Sequence, residues 1–285
     1  MQLPGDGVTL SGLGNAQAGA ERLIFLHGFP ESAECWRPQL EAFAPHYDVL
    51  APDQRGYGAS GRPVGVAEYR VERLCADILA LAGDAARVTL IGHDWGGLAA
   101  WFCAAAHPDR IAQAIIVNAP HPTRFQQLLD TDAAQREASA YTRALIDPGF
   151  EAAVLADGGD AFWDALFGAH LAAGEIGAAA RAAQLADWRV PGTLTSMTDW
   201  YRASPFRFPD AAPGSFAQVP FPALRIAVPV TIIWGEDDPV LLPQQLDGLA
   251  GLVPDLTIHR VAAAGHGILH QRPALVTSLI ASALR

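Results

Sequence analysis

Residues 87–106 read RVTLIGHDWGGLAAWFCAAA, and this stretch decides the fold. The run 87–93 is almost continuously apolar, as a strand covered on both faces must be. From 98 to 106 apolar residues return at helical spacing. Between the two lies Gly92-His93-Asp94-Trp95-Gly96, a G-x-S-x-G strand-to-helix turn with Asp where Ser usually stands. Glycines flank it because a strand turning directly into a helix crowds the backbone and leaves no room for side chains. The turn lifts Asp94 above the sheet and sets it at a helix start, whose positive end favours a carboxylate. An Asp in front of a helix is often only an N-cap. Paired glycines in a strand-helix context favour a chemical role instead.

Outward from that turn, apolar runs at 22–27, 47–53, 111–118, 229–234 and 256–262 also read as strands, and 69–82 carries a helical pattern. Strand-helix alternation of this kind predicts an α/β fold with a mostly parallel, doubly wound sheet. Residues 8–13 suggest an antiparallel hairpin arm at its edge. The alternation stops between Pro120 and Pro222. That stretch is Ala-rich and helical by pattern, with breaks at Pro148-Gly149, Gly158-Gly159 and Pro191-Gly192. Pro205, Pro209, Pro213, Pro220 and Pro222 then suggest an extended return to the sheet. The expected organisation is a core formed by 1–120 and 223–285, with a helical cap, 121–222, inserted between its halves.

Composition narrows the function. The 285 residues are 51% hydrophobic and carry a net charge of −11, with no basic run, which disfavours nucleic acid and anionic membrane surfaces as partners. All 19 basic residues are Arg, so neither a Schiff-base lysine nor a phosphate-binding lysine loop is available. Cys35, Cys75 and Cys103 are scattered and odd in number, suggesting neither disulfides nor a metal site. No basic segment leads an apolar stretch at the start and no run is long enough to span a bilayer, so the expectation is a soluble, cytoplasmic protein, monomeric or homodimeric. The surplus of Ala and Arg fits a GC-rich bacterial genome.

Chain order supplies a second test of Asp94. Folds with this turn present nucleophile, acid and histidine in that sequence. Asp237 and Asp238 follow the run 229–234, and His266 follows 256–262, both beyond strand C-terminal ends, where open α/β sheets form their sites. His107, His259 and His270 lie at a helix end, inside a strand and inside a helix, positions more often structural.

The chain resembles the α/β-hydrolases, and among them the epoxide hydrolases, over nearly its whole length. The resemblance rests on His27-Gly28-Phe29-Pro30-Glu31-Ser32 with Trp36, Asp53-Gln54-Arg55-Gly56-Tyr57-Gly58, Gly92-His93-Asp94-Trp95-Gly96-Gly97, Asn118-Ala119-Pro120-His121-Pro122, Trp200-Tyr201-Arg202, Trp234-Gly235-Glu236-Asp237-Asp238 and Gly265-His266. It implies that Asp238, not Asp237, is the acid, that the Phe29 and Trp95 backbone N–H groups form an oxyanion hole, and that Tyr201 and Tyr141 of the cap are proton donors. Asp53, Arg55 and Tyr57 fall in a loop read as structural.

A carboxylate, with a free pKa of about 3.9, is already a nucleophile at neutral pH. Asp94 can therefore displace a leaving group from saturated carbon, after which His266, oriented by Asp238, activates water against the resulting ester. No cofactor is required. An epoxide leaves as an alkoxide and needs a proton donor, which a tyrosine supplies. The alternative is a haloalkane, whose halide would want N–H donors such as those of Trp95 and Trp163 or Trp188. Phe29 stands where many haloalkane dehalogenases carry Asn, and the run 95–101 holds no charge to grip an anion. A small neutral or apolar epoxide is thus the expected substrate. A receptor without catalysis is the reading from another class, since this fold also serves that role.

Overall fold

The computed structural model describes residues 1–15, 17, 19–207 and 223–284. Its eight strands are β1 (Gln2–Pro4), β2 (Thr9–Gly14), β3 (Arg22–Leu26), β4 (Asp48–Asp53), β5 (Val88–His93), β6 (Ile111–Val117), β7 (Val230–Gly235) and β8 (Leu256–Val261). They form one sheet in the order β1-β2-β4-β3-β5-β6-β7-β8. The pairs β1–β2 and β2–β4 are antiparallel and all the others parallel. The run at 8–13 thus becomes β2, which lies inside the sheet. Its outer partner β1 is too short to stand out in the sequence.

Around the sheet run α1 (Arg37–Phe43), α2 (Val71–Ala82), α3 (Trp95–Ala106), α4 (Pro122–Thr131), α5 (Ala133–Ala138), α6 (Thr142–Leu145), α7 (Phe150–Leu155), α8 (Asp160–Ala172), α9 (Ala178–Trp188), α10 (Thr193–Arg202), α11 (Ile268–Gln271) and α12 (Pro273–Ala283). Side chains alternate across each strand, so one run feeds two cores. Ile24 and Leu26 of β3 join Leu90, Ile116 and Ile232 beneath α2 and α3. Leu23 and Phe25 of the same strand join Ile91, Ile115 and Ile233 against α1 and α12. Each such side chain contributes about 1.5–3 kcal/mol on burial, which explains why these strands show no polar alternation.

Between β6 and β7 the described residues contain only helices, α4–α10. The three expected breaks fall between α6 and α7, α7 and α8, and α9 and α10. Of the expected extended return, Pro209, Pro213, Pro220 and Pro222 lie outside the described residues. The insertion is tied to the core by polar contacts. Trp200 Nε1 donates to the Arg55 carbonyl at 3.1 Å and Gln184 Nε2 to that of Pro30 at 2.7 Å. Arg55 itself is fully buried and paired with Asp77 at 2.6 Å. No helix among the described residues is long and apolar enough to cross a membrane.

Candidate active site

Four neighbouring strands end on the same edge of the sheet, and each delivers a polar side chain there. Asp94 follows β5, Asn118 follows β6, Asp238 lies in the loop after β7, and His266 lies in the loop after β8. Asp94 is folded at φ 50°, ψ −122°, the sharp turn its flanking glycines permit. A Cβ on Gly96 would collide with the backbone of Leu26 and His27, and one on Gly28 would collide with Asp94 itself. Glycine is needed at both positions so that β3 and the turn can approach each other.

The Asp94 carboxylate sits differently at its two oxygens. Oδ1 accepts from the Phe29 N–H at 2.8 Å. Oδ2 lies 3.6 Å from His266 Nε2, too far for a good hydrogen bond. The Trp95 N–H is the first amide of α3, one that helical bonding leaves free. On its other side the His266 ring meets Asp238, with Nδ1 2.8 Å from Oδ2. Asp238 is almost fully buried. Its Oδ1 accepts from the N–H groups of Val240 and Leu241, each at 2.9 Å, and its Oδ2 from Asn118 Nδ2 at 2.7 Å. Asn118 is anchored in turn by the Gly235 N–H, which donates to its Oδ1 at 2.7 Å. Asp237 is not part of this array: its backbone N–H donates to the Ala264 carbonyl.

These contacts set the protonation pattern. Burial alone would raise the Asp238 carboxyl, but the facing His266 and the donated hydrogen bonds outweigh it and hold the carboxyl below its usual range. Burial alone would lower His266. Asp238 first, and Asp94 second, overcome this and lift the imidazole well above its usual value.

Tyr201, from α10, packs edge-on against Phe29 and against Trp95, both with ring centroids 5.1 Å apart. Burial pushes its phenol well above the ordinary range, and Tyr141 and the Asp94 carboxylate add to the rise. Tyr141 stands just before α6 and keeps 41% of its surface open. Burial, then Asp94 and Asp238, raise its phenol, while interaction with Tyr201 works the other way. Hydrogen bonds, ring contacts and chain adjacency join Asp94, Asp238, His266, Phe29, Trp95 and Tyr201; Tyr141 stands before α6 with 41% of its surface open.

Three further contributors carry no motif strong enough to mark them by role. Asn118 bridges Asp238 to β7. Arg202 donates to the Ile146 and Asp147 carbonyls, at 3.1 Å each, joining the segment after Tyr141 to the helix that carries Tyr201. His93 must donate from Nε2 to the His266 carbonyl at 2.9 Å, because a carbonyl can only accept. Burial lowers the His93 pKa and so favours the neutral ring that this bond uses. Of the indoles considered as halide donors, Trp163 already donates to Gln184 Oε1 at 2.8 Å. Among the described residues no group of three or more His, Cys, Asp or Glu side chains is arranged to hold a metal ion.

Comparison with known proteins agrees with this architecture. A family model described as alpha/beta hydrolase fold matches residues 21–273. The AB hydrolase superfamily protein YfhM of Bacillus subtilis (strain 168) is 31% identical, over 98% of this chain and 96% of its own. A Bacillus megaterium epoxide hydrolase crystallised with an inhibitor superposes with a TM-score of 0.89 at 29% identity, covering 100% of this chain and 99% of its own. A structure from a study of novel epoxide hydrolases from hot-environment metagenomes is 36% identical, with a TM-score of 0.85, covering 100% of this chain and 98% of its own.

Proposed function

The chain belongs to the α/β-hydrolase fold family, and on that footing we propose that it hydrolyses a small neutral or apolar epoxide to a vicinal diol through an ester on Asp94. The observation that carries this reading is the asymmetry of the Asp94 carboxylate. Oδ1 rests on the Phe29 N–H, while Oδ2 lies 3.6 Å from His266 Nε2, too far for a firm hydrogen bond, and Tyr201 packs edge-on against both Phe29 and Trp95 beside it.

In the first step Oδ2 attacks one ring carbon. The new C–O bond forms as the strained ring C–O bond breaks, and the ring oxygen takes a proton from Tyr201 or Tyr141. Raised phenol pKa values keep both donors protonated at working pH. Oδ1 then becomes the ester carbonyl oxygen, already at the N–H group where negative charge will next develop. Esterification also removes the Asp94 charge, one of the causes that raise His266. A larger fraction of the imidazole is thereby unprotonated and free to act as base when one is needed.

In the second step water attacks the Asp94 Cγ and His266 takes one of its protons. The tetrahedral intermediate places its charge on Oδ1, between the Phe29 and Trp95 N–H groups. Collapse breaks the ester bond, and the departing alkoxide takes the proton from His266. The other proton of the water, left on the regenerated carboxyl, returns to the tyrosinate. The balance is one epoxide and one water consumed for one diol formed. Asp238 orients His266 and stabilises its charged form. The segment 121–222, whose helices α4–α10 lie between Pro122 and Arg202, serves as the cap that supplies both tyrosines to the core halves 1–120 and 223–285.

Two facts support an epoxide over a haloalkane. A buried tyrosine, Tyr201, packed beside Phe29 and Trp95 suits an alkoxide, which must be protonated, and the solved structures at 29% and 36% identity come from work on epoxide hydrolases. The test is a panel of epoxides and haloalkanes, assayed for diol and for free halide, alongside trapping with His266→Gln. The proposal expects diol from epoxides and an intact-protein mass increased by that of the epoxide. Halide release with no diol from any epoxide, or an unmodified mass at saturating epoxide, would overturn it.

A further inference from the structure

Gln135 in α5 is fully buried, and its side-chain amide uses every hydrogen-bonding position it has. Oε1 accepts from the Leu242 N–H at 3.0 Å and from Gln245 Nε2 at 2.9 Å. Nε2 donates to the Val240 carbonyl at 2.8 Å and to Ser139 Oγ at 3.0 Å. The Leu242 N–H can only donate and the Val240 carbonyl can only accept, so the orientation of the amide is fixed.

Two parts of the site meet at this side chain, although Gln135 and Val240 are 105 positions apart. Val240 and Leu242 belong to the turn that begins at Asp238, whose Oδ1 accepts from the Val240 and Leu241 N–H groups. The turn is gripped on one side by the carboxylate that faces His266 and on the other by Gln135. Ser139 belongs to the turn that leads into Tyr141. Its carbonyl also accepts from Thr142 Oγ1 at 2.8 Å, immediately beyond that tyrosine. Arg202 holds the far end of the same segment, at Ile146 and Asp147. Tyr141 is therefore suspended between two fixed points, and Gln135 is the one that refers it to the Asp238 turn.

We infer that Gln135 is a positioning residue for the reaction: its amide sets the Tyr141 hydroxyl in register with the Asp238–His266 pair, and so with the epoxide oxygen above Asp94. The inference rests on the reading of Tyr141 as a proton donor in ester formation. The residue type fits the task. Along one turn it must accept from a backbone N–H and donate to a backbone carbonyl two residues away. Glu lacks the donor, Met lacks both, and Asn is one carbon shorter.

With Tyr141 as a proton donor, ester formation uses that tyrosine but not His266, so its rate reads this register apart from the second step. The experiment is a double-mutant cycle in single turnover, with a neutral aryl epoxide such as styrene oxide as the probe. It uses the wild type, Gln135→Met, Tyr141→Phe and the double variant. Ser139→Ala, which breaks only the link to the Tyr141 turn, repeats the cycle in a milder form and serves if Gln135→Met does not fold. A misplaced proton donor predicts ester formation slower by roughly ten- to a hundredfold in Gln135→Met. The factor should vanish when Tyr141 is already Phe. An equal factor in both backgrounds, or ester formation at the wild-type rate in folded Gln135→Met or Ser139→Ala, would overturn the inference. A wild type that forms no ester, or a Tyr141→Phe variant as fast as wild type, would overturn the parent reading of that tyrosine as well. An ester in the wild type with an additive cycle removes only the role of Gln135.

Discussion

Asp94 is held at positive φ, a conformation that costs a non-glycine residue of order 1–3 kcal/mol and persists only where its surroundings enforce it. The return on that strain is a carboxylate whose two oxygens meet different partners, the Phe29 N–H and His266, and the proposed roles of the tyrosines can be tested against it. Tyr201→Phe is expected to slow ester formation by roughly 10²- to 10⁴-fold, the usual worth of a positioned general acid, and to slow ester hydrolysis far less. Equal slowing of both steps in single-turnover kinetics would contradict its role. The pH dependence follows from His266. Its folded-state value is raised, so its contribution to stability is complete below about pH 6.5 and is lost as pH rises through the folded value. As a base it must be unprotonated, and esterification of Asp94 removes one cause of the elevation. Hydrolysis of the ester should therefore fall with decreasing pH around a value lower than the one at which His266 titrates in the free enzyme. NMR titration of the free enzyme against the pH profile of ester decay checks this, and an ester-state value equal to or above the free one would refute it.

At the scale of elements, the site depends on strands delivered at fixed spacing and on a turn tight enough to expose one side chain. At Gly96 α3 passes against the end of β3, and a Cβ there meets the backbone of Leu26 and His27. Gly96→Ala should destabilise the fold by about 1–3 kcal/mol or more, read as a lower urea midpoint, because backbone cannot yield as a flexible side chain would. A wild-type midpoint would show that the turn has slack. The same geometry explains what could be read in advance. Strands β3 to β7 were legible because burial on both faces makes their sequences nearly continuous and apolar, and β8 carries a weaker version of that pattern at the exposed edge of the sheet. Asp94, Asp238 and His266 were legible because each lies just beyond a strand end. The short β1 and α1 left too little pattern to be picked out. Tyr141 came only through resemblance, since its own neighbourhood gives no periodic signal. Gln135 and Arg202 gave no sign of their roles, because those roles are contacts between segments far apart in the chain.

For the whole molecule, charge and architecture act together on what can reach the site. A net charge of −11, with Asp94 and Asp238 at the bottom of the site, repels anions in solution. An epoxide bearing a carboxylate should be turned over with lower kcat/KM than a neutral one of the same size. Its kcat/KM should rise with added salt while that of the neutral substrate stays level, because screening weakens long-range repulsion only where there is charge to repel. Identical salt responses for the two would show that the field plays no part in selection. On the proposed mechanism it is Asp94, not water, that reacts first with the epoxide. The oxygen that water contributes must then pass through the protein before it reaches product. Enzyme in excess over epoxide, in water enriched in oxygen-18, tests this directly over a single turnover. The account predicts label in the peptide that contains Asp94 and a diol with none; label in the diol of that first turnover, with Asp94 unlabelled, would contradict it.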